Sequence, residues 1–496
     1  MLKHTPLVAL ALLGACTVGP NYAGPPKAAS DAVARGGFVR AKDAAFVPAP
    51  GLARWWEALG DTTLDRLVDD ALAHSPNIDL AQARIREAQA QLSSRRANEL
   101  PNISANATYL HAGLPGTNLV GSSDSGNGGS SGGGDVSSLN FYNLGGQASW
   151  ELDLFGGGRR GIEQARAGVA QRFADLADAQ VSLSAQVAQA YVNLRDVQER
   201  QRLNAESSRL QRQALDLTRQ RLRAGTASQL DVVRLQTQVQ NTDAQNVPLA
   251  AQIDQYKDQL AVLTGRTPGA LDAQLDAGAP VPLPPAQVPI GDPATLIAHR
   301  PDIRSAERAL AAGNANIGVQ TAKLYPKINF MGILGLGGTN PGDVFDPGKL
   351  TSLVAPMLSW SFLDFGRTRA AIHTAEAQRD QAEAQYRETV LEALQDAERN
   401  LSLFGNVRQQ LGQLRGAEAT AERSAQLNAQ RYRAGTSTLI DQLDIERQRL
   451  SAAIAVAQAK AQLTNAYIGV QKSLGLGWSD PAGAPPAGSA PVSSGG

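Results

Sequence analysis

The sequence predicts an α+β membrane protein with an internal two-fold structural repeat, in which long helices continue into a β-barrel that several chains share. The first observation is an internal duplication: the chain contains two copies of one sequence unit. Residues 221–226 return as residues 431–436, and Trp150 returns as Trp360, in each case 210 positions later. The second observation is that both copies change from a helical period to an alternating period and back. Each copy is therefore one structural unit.

The two copies differ in length at only one place. Pro76 and Pro101 correspond to Pro301 and Pro326, which lie 225 positions later, whereas the offset further along the chain is 210. The first copy therefore holds 15 additional residues before Trp150. Residues 121–134 are almost entirely Gly and Ser, and we expect them to form the loop that contains this excess.

The N-terminus has the pattern of an exported lipoprotein. Residues 1–15 combine a basic start, a short apolar run and small residues, as a signal peptide does. Cys16, the only cysteine, follows Leu-Gly-Ala as in a bacterial lipobox, which predicts S-diacylglycerol and N-palmitoyl groups on this residue. Thr17 at the next position favours the outer membrane over the inner one. No later segment is apolar enough for a transmembrane helix, so a membrane crossing would require β-strands.

Composition and the positions of proline and glycine divide the chain into six predicted segments. They are the signal peptide 1–15, a lipidated N-terminal arm 16–60, repeat 1 at 61–278 with a β-hairpin at about 101–155, a Pro-rich link 279–293, repeat 2 at 294–478 with a β-hairpin at about 326–365, and a flexible tail 479–496. We expect the link, the arm and the tail to form a belt where the short helices meet.

The strand segments alternate between apolar and small or polar residues. In the first copy, residues 103–109 and 144–152 have this period of two, and in the second copy it recurs around residues 328–330 and 358–362, with a turn between 337 and 348. Strands of about ten residues with one polar face are typical of outer-membrane barrels, which need about eight strands or more to close. Four strands per chain cannot close alone, so the barrel must be shared between chains.

The helical pattern is unusually long. It runs without proline from Gly156 to Arg223, which is about 100 Å of helix at 1.5 Å per residue. Residues 224–226 break it, and helix resumes at 228–263, where Pro248 should introduce a kink. Together with a short helix at 76–100, the returning helix matches the long one in length, and the second copy repeats the arrangement.

Several function classes find no support in the sequence. The formal net charge is zero, which gives no electrostatic case for nucleic acid. The five histidines are scattered and have no metal-ligand spacing. Residues 156–159 lack the Lys and Ser or Thr of a phosphate-binding loop, and no catalytic constellation stands out. We expect no enzyme activity, no metal and no cofactor other than the covalent lipid.

A set of short motifs extends over nearly the whole mature chain. They are residues 16–22, Trp55 with Trp56, residues 75–78 and 300–303, residues 153–157, the two Arg-Ala-Gly-Thr tips and residues 472–478. In combination the chain resembles the TolC/OprM family of outer-membrane efflux proteins, in particular the lipidated, NodT-like subfamily that serves resistance-nodulation-division (RND) pumps. The resemblance implies a homotrimer with twelve strands in the outer membrane and twelve helices that form a periplasmic tunnel.

The resemblance also implies partners and a passive function. The chain would be the duct of a tripartite pump that exports drugs, solvents or other small molecules without changing them. Its helical tips would form the periplasmic entrance, contact a periplasmic adaptor protein and, through it, serve an inner-membrane RND transporter. The residues expected at the tips are Arg223, Ala224, Gly225, Thr226, Arg433, Ala434, Gly435 and Thr436.

In the family, rings of aspartate and leucine close the entrance. Asp444 matches the ring aspartate, and Ile440 stands where the family has leucine. Three carboxylates on a threefold axis would repel each other and bind cations, while Arg447 could pair with a neighbour and hold the closed state. The full set of expected gate residues is Ile440, Asp441, Leu443, Asp444, Arg447 and, from the first copy, Asp231 and Arg234.

Two other interpretations stay open at this point. A duct of the same fold could serve a type I protein secretion system, although that branch usually lacks a lipobox. A lipidated periplasmic scaffold without a pore is the other alternative, and the alternating strands argue against it.

Overall fold

The computed structural model of the chain describes residues 17–115 and 136–478. The predicted signal peptide, the lipidation at Cys16, the Gly-rich loop and the tail 479–496 lie outside the described residues. The described chain forms two compact units. Within these ranges, the first unit comprises residues up to 24, 88–169 and 310–381, and the second comprises 25–87, 170–309 and 382–478.

The element order repeats along the chain as the sequence predicts. The helices are α1 Ser30–Arg35, α2 Thr62–His74, α3 Pro76–Ala97, α4 Gly157–Arg223, α5 Gln229–Leu263, α6 Asp272–Leu275, α7 Pro293–His299, α8 Pro301–Ala322, α9 Arg367–Arg433 and α10 Leu439–Ser473. The strands are β1 Phe46–Val47, β2 Asn102–Pro115, β3 Val136–Leu152, β4 Val288–Pro289, β5 Lys327–Gly338 and β6 Leu350–Ser359.

Corresponding helices of the two copies have identical lengths. The short helices α3 and α8 have 22 residues each, the long helices α4 and α9 have 67, and the returning helices α5 and α10 have 35. Pro248 lies inside α5 without shortening it. Within the described ranges, no helix is long and apolar enough to span a bilayer.

Four strands of the first unit form an antiparallel sheet in the order β2-β3-β5-β6. The register aligns their alternating patterns, since Ile103 pairs with Ala148, Ala148 with Gly332, and Gly332 with Val354. Three other rows on the same face are apolar, and a fourth contains Ser352: Trp150, Phe330 and Pro356; Leu152, Ile328 and Leu358; Ala107, Leu144, Leu336 and Leu350; Ala105, Gly146, Leu334 and Ser352. On residues 102–108 of β2 and 143–149 of β3 the opposite face carries Asn, Ser, Thr, Gln and Gly, whereas on β5 and β6 it also carries Met331, Ile333, Leu353 and Met357. The polar face that the sequence predicts is therefore present on the first hairpin and is interrupted by apolar residues on the second.

The second hairpin differs from the prediction at its end and in its turn. β6 ends at Ser359, which pairs with Lys327 at the start of β5, so residues 360–362 have no strand partner there. Trp360 instead donates its indole N–H to the carbonyl of Leu324 at 3.0 Å. The predicted turn contains two short 3-10 helices, Pro341–Phe345 and Pro347–Lys349.

The second unit has a large apolar core centred on aromatic residues. Trp55 and Trp56 are almost completely buried and pack edge to face, and Tyr467 of α10 packs on Trp55. Part of the predicted belt is present, because β1 of the arm pairs in parallel with β4 of the link. The arm also binds α9, where the Glu398 carboxylate accepts hydrogen bonds from the backbone N–H groups of Val39 and Arg40.

Candidate channel entrance at the helical tips

Both long helices end in the same tight turn. Gly225 and Gly435 have left-handed φ angles of 75° and 73°. At the first tip, Gly225 N–H donates to Leu222 O and Thr226 N–H donates to Arg221 O, both at 2.9 Å. The second tip has the equivalent pair of bonds. This is the Schellman arrangement, which satisfies the last carbonyls of a helix and requires a residue that tolerates positive φ.

Both returning helices begin with a reciprocal capping box. The hydroxyls of Ser228 and Thr438 accept the N–H of Asp231 and Asp441 at 3.2 and 3.1 Å, and each carboxylate accepts the N–H of its capping residue. Hydrogen bonds from the Thr438 hydroxyl and amide hold the pKa of Asp441 below its ordinary value, and Ser228 does the same for the pKa of Asp231. Two of the expected gate residues, Asp231 and Asp441, therefore belong to the capping boxes that begin α5 and α10.

The two tips are held together by different chemistry. Behind the first tip, Leu215 of α4 packs with Val232 and Val239 of α5. Behind the second tip, the Asn428 side chain donates to Gln442 Oε1 at 2.9 Å and accepts from the Ser437 hydroxyl at 2.8 Å. Asn428 is 6% exposed, so this is a largely buried polar junction. Such a junction depends on every bond being made, whereas an apolar seam tolerates sliding.

The structure brings two expected gate residues into direct contact. The Arg447 guanidinium donates to Asp444 Oδ1 at 2.8 Å, one turn along α10, and Gln448 donates to the other carboxylate oxygen at 2.9 Å. Both members of the ion pair are about half exposed. Ile440 and Arg234 are also exposed, while Leu443 is half-buried. One turn of α10 thus presents an apolar residue and a carboxylate whose charge an adjacent guanidinium balances.

A larger charge cluster surrounds Arg449, two residues beyond Arg447 on α10. Arg449 contacts three carboxylates, with Glu446 at 2.7 Å on its own helix and Glu206 of α4 and Glu422 of α9 both at 3.5 Å. These partners raise the pKa of Arg449 above its ordinary value, foremost through the Glu446 hydrogen bond. Near this cluster, Leu203 of α4 packs against Leu450 and Ala457 of α10. Arg449 therefore joins helices of both copies.

Sequence reasoning missed Asn428, Gln442 and Arg449. At an offset of 210 positions, the first copy has Thr218, Val232 and Val239 in their places. A comparison of the two repeats would have shown these differences. At each position one copy has an apolar or hydroxyl residue, and the other has an amide or a guanidinium. All three exchanges place a polar group at the second tip, whereas one turn further along α5 the exchange is reversed, since Asp243, which binds Ser208 and Arg212 of α4, corresponds to Ala453.

The expected tip residues are exposed in the structure. Arg223, Ala224, Gly225 and Thr226 at the first tip, and Arg433, Ala434, Gly435 and Thr436 at the second, are all open to solvent in the single chain. Within residues 17–115 and 136–478, no group of three or more His, Cys, Asp or Glu side chains could hold a metal ion.

The comparison with known proteins identifies the family. A family model described as outer membrane efflux protein matches residues 67–266 and 293–476. The chain belongs to this family. Nodulation protein T of Rhizobium leguminosarum bv. trifolii is 29% identical over 476 residues, which cover 96% of this chain and 97% of the relative. The pyoverdine export outer membrane protein OpmQ of Pseudomonas putida is 31% identical over 434 residues, covering 86% and 88%.

Solved structures show the same fold. The outer-membrane channel OprN shares 33% identity with a TM-score of 0.82, over 93% of this chain and 100% of the other. The open-state outer membrane channel MtrE of Neisseria gonorrhoeae shares 26% identity with a TM-score of 0.74, over 93% and 98%.

These matches confirm the predicted fold class and the predicted function. The protein is an outer-membrane efflux channel that extends into the periplasm, and it belongs to a family of ducts and not of enzymes.

Proposed function

We propose that three copies of this chain form one duct and that the four-stranded sheet is one third of its barrel. The observation that carries the proposal is the open sheet. Within the described residues, β2 and β6 each pair on one side only, and the apolar face between them is largely uncovered. Ile103 on β2 is 77% exposed and Val354 on β6 is 76% exposed. Pairing β2 of one copy with β6 of the next would remove every edge and turn the apolar face to lipid.

We place the membrane anchor at Cys16 and the periplasmic entrance at the two tips of each chain. The proposed segments are the signal peptide 1–15, the lipidated arm 16–60, repeat 1 at 61–278, the link 279–293, repeat 2 at 294–478 and the tail 479–496. The exposed tip turns around Gly225 and Gly435 are short and rigidly capped, which suits them to contact a helical hairpin of a periplasmic adaptor. An inner-membrane RND transporter would supply the energy through that adaptor.

The gate is proposed on α10. In a trimer, Ile440 and Asp444 of three copies would meet near the axis, with Leu443 behind them and Asp441 starting the helix. Each Asp444 is paired with Arg447 of its own chain at 2.8 Å, which supports a closed ring whose like charges are balanced. Asp231 and Arg234 hold the matching positions on α5. The cargo is proposed to be small molecules, as the names of the export and efflux relatives indicate.

Single-channel conductance tests the gate. We expect the purified protein in planar bilayers to give a small, cation-selective conductance that increases several-fold when Asp444→Ala and Arg447→Ala are combined. The control combines Asp216→Ala with Arg219→Ala, which removes an exposed ion pair of the same spacing from α4. An equal increase in both variants would place the gate elsewhere. Absence of conductance from every form, with monomers in detergent, would contradict the duct itself.

A further inference from the structure

The residues that follow Cys16 are bound along their backbone by the rest of the first unit. Arg160 of α4 donates to the carbonyl oxygens of Val18 at 3.1 Å and Gly19 at 3.2 Å, and to Asn21 Oδ1 at 2.6 Å. Asn314 of α8 donates to the carbonyl of Pro20 at 3.0 Å. Three consecutive carbonyls of the segment 17–21 are therefore satisfied by two side chains from different copies of the repeat.

The β-hairpin side of the segment is also fixed. Val18 N–H donates to the carbonyl of Phe155 at 3.1 Å, at the turn that joins β3 to α4. A side chain placed on Gly156 in that turn would come within 2.7 Å of the Thr17 side chain. The segment thus lies directly on the junction between the membrane sheet and the long helix.

Arg160 depends on the segment as much as the segment depends on Arg160. Its side chain is 5% exposed, and its only partner outside the segment among the described hydrogen bonds is Glu163, at 2.7 Å. Without the segment, the guanidinium would lose three acceptors, which only water could replace. Hydrogen bonds made by a charged group contribute more than those between neutral groups, so their loss is unfavourable even where water enters.

Two glycines make the fit selective. Gly19 has a left-handed φ of 89°, and a Cβ atom on it would lie 2.5 Å from the Cα atom of Gly318 on α8. A Cβ atom on Gly318 would in turn lie 2.7 Å from the Cγ atom of Arg160. The segment, α8 and Arg160 are therefore in contact at a point where neither glycine can be replaced without displacement.

The duplication provides an independent argument. The helices of the two copies align without gaps, so Arg160 corresponds to Ala370, Asn314 to Gln89 and Gly318 to Ser93. The side chains that bind the segment and the glycine that admits it are each present in one copy and missing from the other, whereas Phe155 and Gly156 at the turn recur as Phe365 and Gly366. A chain has one N-terminus and two repeats, and only one repeat position is built to receive it.

We propose that Arg160, Asn314 and Gly318 form an intramolecular binding site for residues 17–21, which fixes the membrane anchor to the junction between sheet and helix. Arg160 is a positioning residue, and it acts by holding the peptide next to Cys16. The consequence for the lipid rests on the proposed acylation of Cys16, whereas the binding of the segment does not. With the segment in its site, the acyl chains would enter the bilayer beside the sheet of the same chain.

A spin label next to the segment tests the proposal in the full-length, membrane-extracted protein. Ala23 is exposed, and Ala23→Cys provides a label site because acylation would block the only other cysteine. We expect an immobilised spectrum in the parent and a mobile one after Arg160→Ala, since losing three charge-assisted bonds should lower the bound-to-free ratio by about ten- to a hundredfold. Arg166→Ala, an exposed arginine on the same helix, is the control and should leave the spectrum unchanged.

Gly19→Ala tests the same site from the side of the segment. It changes nothing in the helices, so it remains informative if Arg160→Ala fails to fold, and it should also give a mobile label. An immobilised label in both variants would overturn the proposal. Mass spectrometry of the N-terminal peptide tests the acylation separately, and conductance tests the duct, so failure of either can be told apart from failure of the binding site.

Discussion

At the scale of single residues, the second tip differs from the first by a few exchanges with large electrostatic consequences. Arg449 occupies the position that corresponds to Val239 in the first copy. Arg449 contacts Glu206, Glu422 and Glu446, whereas Val239 packs in an apolar cluster with Leu215 and Val232. Among the described ion pairs, Glu422 and Glu446 have Arg449 as their only cation, while Glu206 also has Arg202 at 3.7 Å. Removing the cation would therefore create repulsion as well as lose bonds.

The first prediction concerns Arg449→Met. We expect the variant to lose about 1–2 kcal/mol of stability per chain, because the cluster is partly shielded and three carboxylates lose their common partner. The measurement is the thermal unfolding midpoint followed by helical circular dichroism. Arg447→Met is the matched control on the same helix, and its exposed pair with Asp444 should contribute at most about 1 kcal/mol. A smaller loss for Arg449 than for Arg447 would refute this ranking.

The second prediction concerns the capping box of α10. Thr438→Ala removes the hydroxyl bound to Asp441, and we expect about fivefold faster hydrogen exchange at the first amides of that helix, a typical effect of losing an N-cap. Ala227→Ser, which leaves the Ser228 cap in place, is the control at the other tip. Unchanged exchange after Thr438→Ala would mean that contacts other than the cap hold this helix end.

The same cap has a pH dependence of known sign. Because the folded-state pKa of Asp441 is lowered, its contribution is fully present above the ordinary aspartate pKa and is lost as pH falls through the lowered value. Protection at the α10 start, measured as the exchange rate relative to the intrinsic rate at each pH, should therefore fall on acidification, and Asp441→Asn should remove that fall.

At the scale of elements, the helices were predictable because their ends are marked locally. Pro76 and Pro301 start helices, while Gly225 and Gly435 end them, and these signals act within a few residues in sequence. The end of β6 was not predictable, since it depends on where its partner strand begins. The contacts of Arg449 and Arg160 were also out of reach, because they depend on which distant helices meet.

The third prediction concerns Pro248 in α5. The second copy has Gln458 at this position, yet α5 and α10 have the same length. Pro248 is exposed, so replacing it by Gln should restore a backbone donor and stabilise the chain by up to about 3 kcal/mol. The measurement is the thermal midpoint of Pro248→Gln, with Val247→Gln as the neighbouring control. A lower midpoint would show that the surrounding structure favours proline at this position.

At the scale of the whole molecule, the duplication makes the two halves of each chain similar, and a few sequence differences between the halves give each one its own contacts. Three chains with two hairpins each would give six similar hairpins around a barrel. The binding site for the N-terminal segment and the polar second tip each occur once per chain, and would therefore occur three times per assembly. In the proposed trimer, each chain would contribute one anchor and one gate segment. For this, the two repeats need to differ in sequence only at the anchor site and at the tip.

The fourth prediction tests closure of that assembly. Cysteines placed together on the edge strands, Ala105→Cys on β2 and single positions from 351 to 357 on β6, should form disulfides between copies when the register brings a pair into contact. Denaturing gels should then show monomer, dimer and trimer bands and nothing larger, because a closed ring has no free edge. Each cysteine alone is the control and should give no such ladder. A series of bands continuing past the trimer would indicate open association, and only monomers at every register would show that β2 and β6 do not meet.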